Sequence, residues 1–265
     1  MKSLRDHLIK LSAFFLKNWR MARRNGFTVF EVGFWPVVNL MSIGLMTSFF
    51  AMAPSAVVFV LTGTIALSVV QVCQLDVVYA LMFDMWSKSV KHQFVAPVAP
   101  WHVVGGAWLM GTLRGVAVFA IQSLTAVLWF GVGPFRSGVG PALLFLAGLL
   151  LSAAVVGLVI CSLLLSFGLR AEVSAWSGVS LVLLICGVYY PVSVLPTPFQ
   201  WLAGAVPITY FLEAFRAHHG FTPVHVEPLW WGFGLVGLYL VLGYLSFTAA
   251  MGRARRSGML LKLSD

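Results

Sequence analysis

The chain has 265 residues, of which 60% are hydrophobic and 9% charged. An ordinary soluble domain carries about 25% charged residues, so a water-soluble globule is excluded and a membrane protein is expected. The formal net charge of +9 has almost no soluble surface over which to spread, which excludes nucleic-acid binding and leaves the basic residues to set topology.

Near the start, Leu4, Leu8, Leu11, Phe15 and Trp19 recur at helical spacing, with Arg5, Asp6, Lys10, Lys17, Arg20, Arg23 and Arg24 on the other half of the wheel. This predicts a cytosolic amphipathic helix over residues 1–27, ahead of a membrane domain over 28–265. Its basic face meets anionic lipid or a cytosolic partner, or serves only as a positive-inside anchor. With no small-residue cleavage pattern after it, no signal peptide is expected.

Between Glu31 and Asp76 lie 44 residues free of Asp, Glu, Lys and Arg. At ~1.5 Å per residue that is about 66 Å of helix, or two spans, broken near Ala53-Pro54-Ser55. Gln71, Gln74 and Asp76 fall low in span two, where a long helix is expected to emerge into the cytosol rather than offer a polar seam to a substrate. The next stretch, Asp84 to Gln93, keeps Met82, Trp86, Val90 and Phe94 on one face and Asp84, Lys88, Lys91 and His92 around the other. It reads as a short cytosolic helix, ended by Ala96-Pro97-Val98-Ala99-Pro100. Such a helix either transmits motion from a soluble subunit or is an ordinary loop element.

Span three runs from Val103 to Val132 around Arg114, which binds a lipid phosphate, pairs with Asp76 or snorkels to water. Span four covers Pro141 to Gly168 and span five Val173 to Tyr190. Pro191, Pro196, Pro198 and Pro207 then cut an apolar stretch into pieces, which suits a re-entrant pair of short outer helices, with a plain extracellular loop as the alternative. Glu213 and Arg216, three apart, are expected to pair or to sit at headgroup level. His218, His219 and His225 with Glu213 and Glu227 fit no standard zinc spacing and are expected to be solvated or interfacial. Span six covers Leu229 to Gly252 and opens on the aromatic pair Trp230-Trp231.

Cys73, Cys161 and Cys186 all stand inside apolar runs, so neither a disulfide framework nor a metal site is expected. Six spans put both termini on one side. Fourteen of the seventeen Lys and Arg fall in the N-terminal segment, the even loops and the tail, which predicts cytosolic termini in a multi-pass inner-membrane protein.

Several motifs carry a resemblance. Gly187-Val188-Tyr189-Tyr190-Pro191, Leu195-Pro196, Pro207-Ile208-Thr209-Tyr210 and Glu213-Ala214-Phe215-Arg216 form one run, and Phe94-Val95-Ala96-Pro97 followed by Val103-Val104-Gly105 forms a second. On these the chain resembles the permease subunits of type-2 ABC exporters, the class that moves polysaccharides, drugs and lipid-linked glycans. The resemblance implies an all-α fold of six transmembrane helices, with an N-terminal interfacial helix, a coupling helix after span two and outer re-entrant helices between spans five and six. It implies an amphiphilic or lipid-linked substrate, a second permease copy as homodimer partner, surrounding membrane lipid, and a cytosolic ABC ATPase.

The chain has no GxxxxGK[ST] motif. No catalytic residue, metal or cofactor is therefore expected here, with ATP and Mg held by the partner subunit. By resemblance, Asp84, Trp86, Lys88, Val90, Lys91, His92 and Phe94 couple to the ATPase, and Arg5, Lys17, Arg20, Arg23 and Arg24 belong to the interfacial helix. Trp35, Asn39, Trp176 and Ser180 line the substrate path or dimer interface. Tyr190, Pro191, Pro196, Pro207, Tyr210, Glu213 and Arg216 form the re-entrant motif. One departure stands out: many members carry Gly-Thr-Leu-Glu where this chain has Lys88-Ser89-Val90-Lys91. The rival readings are an ATP-independent carrier or receptor, and a membrane-embedded enzyme, for which Asp76, Arg114 and scattered serines are the only convergent chemistry on offer.

Overall fold

A computed structural model describes residues 4–24, 26–89 and 98–256, which form helices and connecting turns. The helices are α1 (Leu4–Arg24), α2 (Gly26–Phe49), α3 (Pro54–Trp86), α4 (Pro100–Phe130), α5 (Val139–Phe167), α6 (Ser174–Ile185), α7 (Thr197–Gly204), α8 (Pro207–Ala217) and α9 (Pro228–Arg256). Val90, Lys91, His92 and Phe94 of the expected coupling helix lie outside the described residues.

Prolines begin these helices rather than merely interrupting them. Pro54, Pro100 and Pro207 each occupy a first-turn position, where the missing N–H would have had no helical partner. Among the described residues, five helices are long and apolar enough to cross a bilayer: α3, α4, α5, α9 and the Val32–Phe49 part of α2. The expected fifth span, Val173 to Tyr190, is shorter than read. Its helix ends at Ile185, and 12 residues give about 18 Å, well under a hydrocarbon core of roughly 30 Å. Gly187 follows with φ of 71°, and a Cβ there would lie 2.9 Å from the Tyr190 carbonyl oxygen, so only glycine fits the turn.

The centre of the bundle is α3 against α5, the two spans with most of their length buried, while α2, α4 and α9 present much of their surface outward. Two apolar clusters stack along α3. One joins Leu61, Ile65 and Val69 to Phe119, Phe145, Leu149, Phe211 and Phe215; the other joins Val77, Leu81 and Met85 to Leu158, Leu164, Phe247 and Met251. Lipid tails are as apolar as these side chains, so close packing and internal hydrogen bonds hold the helices together. Gly63 shows the tolerance: a Cβ there would fall 1.8 Å from the Val188 carbonyl oxygen.

Helix α1 lies along α4. Leu4, Leu8 and Trp19 are exposed, whereas Leu11 and Phe15 are partly covered by the protein. His7 Nδ1 stands 3.0 Å from His102 Nε2 on α4, and the two rings stack.

Candidate functional site

Helix α2 contains Pro36, which removes one donor from its ladder. Gln122 of α4 reaches this segment, donating from Nε2 to the Pro36 carbonyl at 2.7 Å and to the Ser68 hydroxyl of α3 at 3.0 Å. This bond set ties three helices together beside a cavity of about 670 Å³.

Trp35, Asn39 and Ser42 of α2 form one wall, Gln71, Leu75, Asp76 and Tyr79 of α3 the second, and Arg114 of α4 with Trp176 of α6 close it. The rings of Tyr79 and Trp176 meet edge to face at 5.9 Å. Trp35 and Trp176 are 63% and 49% exposed, so the cavity opens outward between them.

Three of the four residues assigned to the substrate path, Trp35, Asn39 and Trp176, thus meet at one cavity. Ser180 does not join them: it is exposed, and its hydroxyl donates to the Trp176 carbonyl at 3.1 Å. Tyr79 was missed by sequence reasoning, although Ser68, Gln71, Asp76 and Tyr79 recur along α3 at near-helical intervals. That polar stripe was the available signal.

Gln71, Gln74 and Asp76, expected to emerge from the bilayer, lie on a helix that packs within the bundle. Helix α3 continues to Trp86, Gln74 is fully buried and donates from Nε2 to the Ala175 carbonyl at 3.1 Å, and Asp76 is buried. Arg114 donates from Nη1 to Asp76 Oδ1, with side chains 16% and 9% exposed. Burying a charge is tolerable only when it is paired, which is why these two sit together. The second carboxylate oxygen, Oδ2, is buried without a hydrogen-bond partner.

At the C-terminal end of α3, Asp84 and Trp86 belong to its last turn rather than to a separate helix. Ser87 and Lys88 form a turn, with Lys88 in the left-handed region at φ of 57°. Lys17 of α1, assigned to a basic face, instead places Nζ 2.5 Å from both Asp84 oxygens. Arg20, Arg23 and Arg24 stay on α1, the last two in its final turn, and Arg5 lies in its first turn.

Glu213 and Arg216 do not pair. Glu213 Oε2 accepts from the His225 backbone N–H at 3.1 Å and lies 3.0 Å from His225 Nδ1. Arg216, 4% exposed, donates from Nη1 to the Gly187 carbonyl at 2.7 Å and from Nη2 to the Val188 and Phe59 carbonyls at 2.6 and 2.9 Å. Its guanidinium also lies over the Phe59 ring. Tyr190 donates to the Leu184 carbonyl and Tyr210 to the Gly204 carbonyl, while Pro191 and Pro196 cap the short helical turns between α6 and α8. His218 is exposed and His219 half-buried, and the Nδ1 of each lies against a carbonyl of α8, Ala214 at 2.9 Å and Phe215 at 3.3 Å. Among the described residues no group of three or more His, Cys, Asp or Glu is placed to hold a metal ion.

Residues 10–218 match the model of the ABC-2 type transporter family. The chain belongs to that family. It is 30% identical over 203 residues to the inner membrane transport permease YadH of Escherichia coli K12, covering 74% of this chain and 75% of the relative. The Shigella flexneri protein of the same name matches equally. An uncharacterized Archaeoglobus fulgidus protein is 33% identical over 57 residues, 22% of this chain and 89% of its own. The matched region of this ABC-2 permease contains the cavity, the Lys17–Asp84 contact and the Arg216 cluster.

Proposed function

We propose that this chain is the membrane half of an exporter in the inner membrane, moving an amphiphilic or lipid-linked substrate with energy from a separate cytosolic ABC ATPase. The observation that carries the reading is the cavity: one polar stripe on apolar, aromatic walls, open on one side, in a family member with no phosphate-cradling motif. A second permease copy closes the open side between Trp35 and Trp176. The short helix α6, followed by α7 and α8, completes six crossings with an outer re-entrant turn, and both termini are cytosolic. The interfacial helix is α1, Leu4–Arg24, and the permease domain follows from α2 onward. ATP and Mg bind the partner, whose closure pushes on the segment from Asp84 to Phe94.

Co-purification tests this. An ATPase subunit is recovered with the chain, and Lys88→Glu with Lys91→Glu together reduces that recovery. Unchanged recovery removes the docking assignment. Substrate movement by the purified chain alone, with no ATPase present, removes the reading as a whole.

A further inference from the structure

The cavity carries more information than its size. Seven buried side-chain nitrogen and oxygen atoms lack a hydrogen-bond partner among the described residues, and Asp76 Oδ2 is the one belonging to a residue that lines the cavity. Its side chain is 9% exposed, and its other oxygen is taken by Arg114. A buried acceptor left unmade is costly, and inside a membrane helix more so. The atom calls for a donor.

The walls narrow the choice of donor. Trp35, Tyr79 and Trp176 present three aromatic rings to the same space, and aromatic faces attract cations through the ring quadrupole. Asp76 and Arg114 neutralise each other, so the pair offers no net positive charge to an anion and leaves one acceptor, Asp76 Oδ2, without a partner. An anionic head would meet the lone carboxylate oxygen with like charge. A hydroxyl would satisfy the acceptor but gain little from the rings. A protonated amine meets both demands, since a charge-assisted hydrogen bond to a carboxylate is roughly twice as strong as a neutral one.

We propose that the cavity recognises an amphiphile with a protonated amine head, whose N–H donates to Asp76 Oδ2 while its apolar body lies against Leu75, Trp35 and Trp176. This rests on the export reading and narrows its substrate class. The lone acceptor sets the polarity of the head, and the aromatic walls set its charge.

The test is equilibrium binding to the full-length chain in lipid nanodiscs, above empty nanodiscs, with four probes sharing a twelve-carbon tail. These are dodecylamine, dodecyltrimethylammonium, dodecanol and dodecyl phosphate. Dodecylamine is expected to bind at least about tenfold tighter than dodecanol or dodecyl phosphate, with the trimethyl cation, which has no N–H, between. Asp76→Asn brings the amine down to the level of the alcohol, and Asp76→Glu retains the preference. Should Asp76→Asn fail to fold, the neutral pair Asp76→Asn with Arg114→Gln must show the same loss. Tighter binding of dodecyl phosphate, an amine preference that survives Asp76→Asn, or no binding of any probe overturns the proposal. None of these outcomes touches the export reading, which falls only if the purified chain moves substrate with no ATPase present.

Discussion

Arg216 on α8 donates to the Gly187 carbonyl, 2.7 Å away and 29 residues earlier in the chain. Four residues after Gly187 comes Pro191, which has no N–H, so a continued helix could never have supplied this carbonyl with its usual donor. Arg216 supplies it from outside and gathers the Val188 and Phe59 carbonyls with the same planar fork. The Gly187–Pro191 and Glu213–Arg216 stretches are therefore two halves of one structural clamp.

Replacing Arg216 with Lys keeps the charge and loses the fork. Three buried carbonyls then compete for one ammonium, and a loss of about 3 kcal/mol in stability is expected. Thermal unfolding in lipid nanodiscs reads this as a lowered midpoint. An Arg216→Leu variant should be worse still, because no donor remains.

Gly63 faces the same clamp from α3. An added Cβ would overlap the Val188 carbonyl oxygen, whereas one at Gly234 on α9 would meet nothing within 4 Å. Gly63→Ala should cost on the order of 1–3 kcal/mol through overpacking, and Gly234→Ala should be neutral or slightly stabilising. Equal midpoints for the two variants would show that α3 and the turn after α6 do not touch in the folded protein.

The long spans were legible because a charge-free interval of sufficient length has few other uses. The cavity was partly legible, since Trp35, Asn39 and Trp176 were nameable as exceptions to bland apolar sequence. What escaped were relationships across distance. Nothing local marks Lys17 as the partner of Asp84, 67 residues away, and local rules paired Glu213 with Arg216 because they are neighbours on a helix. The short α6 escaped for the same reason. Val173 to Tyr190 is uniformly apolar, and the stop at Ile185 depends on a glycine turn whose carbonyls are claimed from α8.

The Lys17–Asp84 contact joins α1 to the C-terminal end of α3, at the first residue of the proposed docking segment. Lys17 is partly exposed, which limits the strength of the pair, while Asp84 is buried and loses more when left alone. Lys17→Asp and Asp84→Lys should each lower ATPase recovery, and the swapped double variant should restore part of it. A double-mutant cycle with coupling near zero would show that α1 is held by its contacts with α4 alone.

The Asp76–Arg114 pair gives the sharpest contrast between stability and function. Removing one partner leaves an uncompensated charge inside the bundle, so Arg114→Leu alone should cost about 3–5 kcal/mol. Replacing both with apolar residues, Asp76→Leu with Arg114→Met, removes the desolvation penalty of each and should return stability to near that of the unaltered chain. Calorimetry or thermal unfolding of the two variants side by side checks this. If the double variant is as stable as expected yet transport is lost, the buried charges are kept for the substrate. If it is as unstable as Arg114→Leu, the pair holds α3 to α4 in a way that packing alone does not replace.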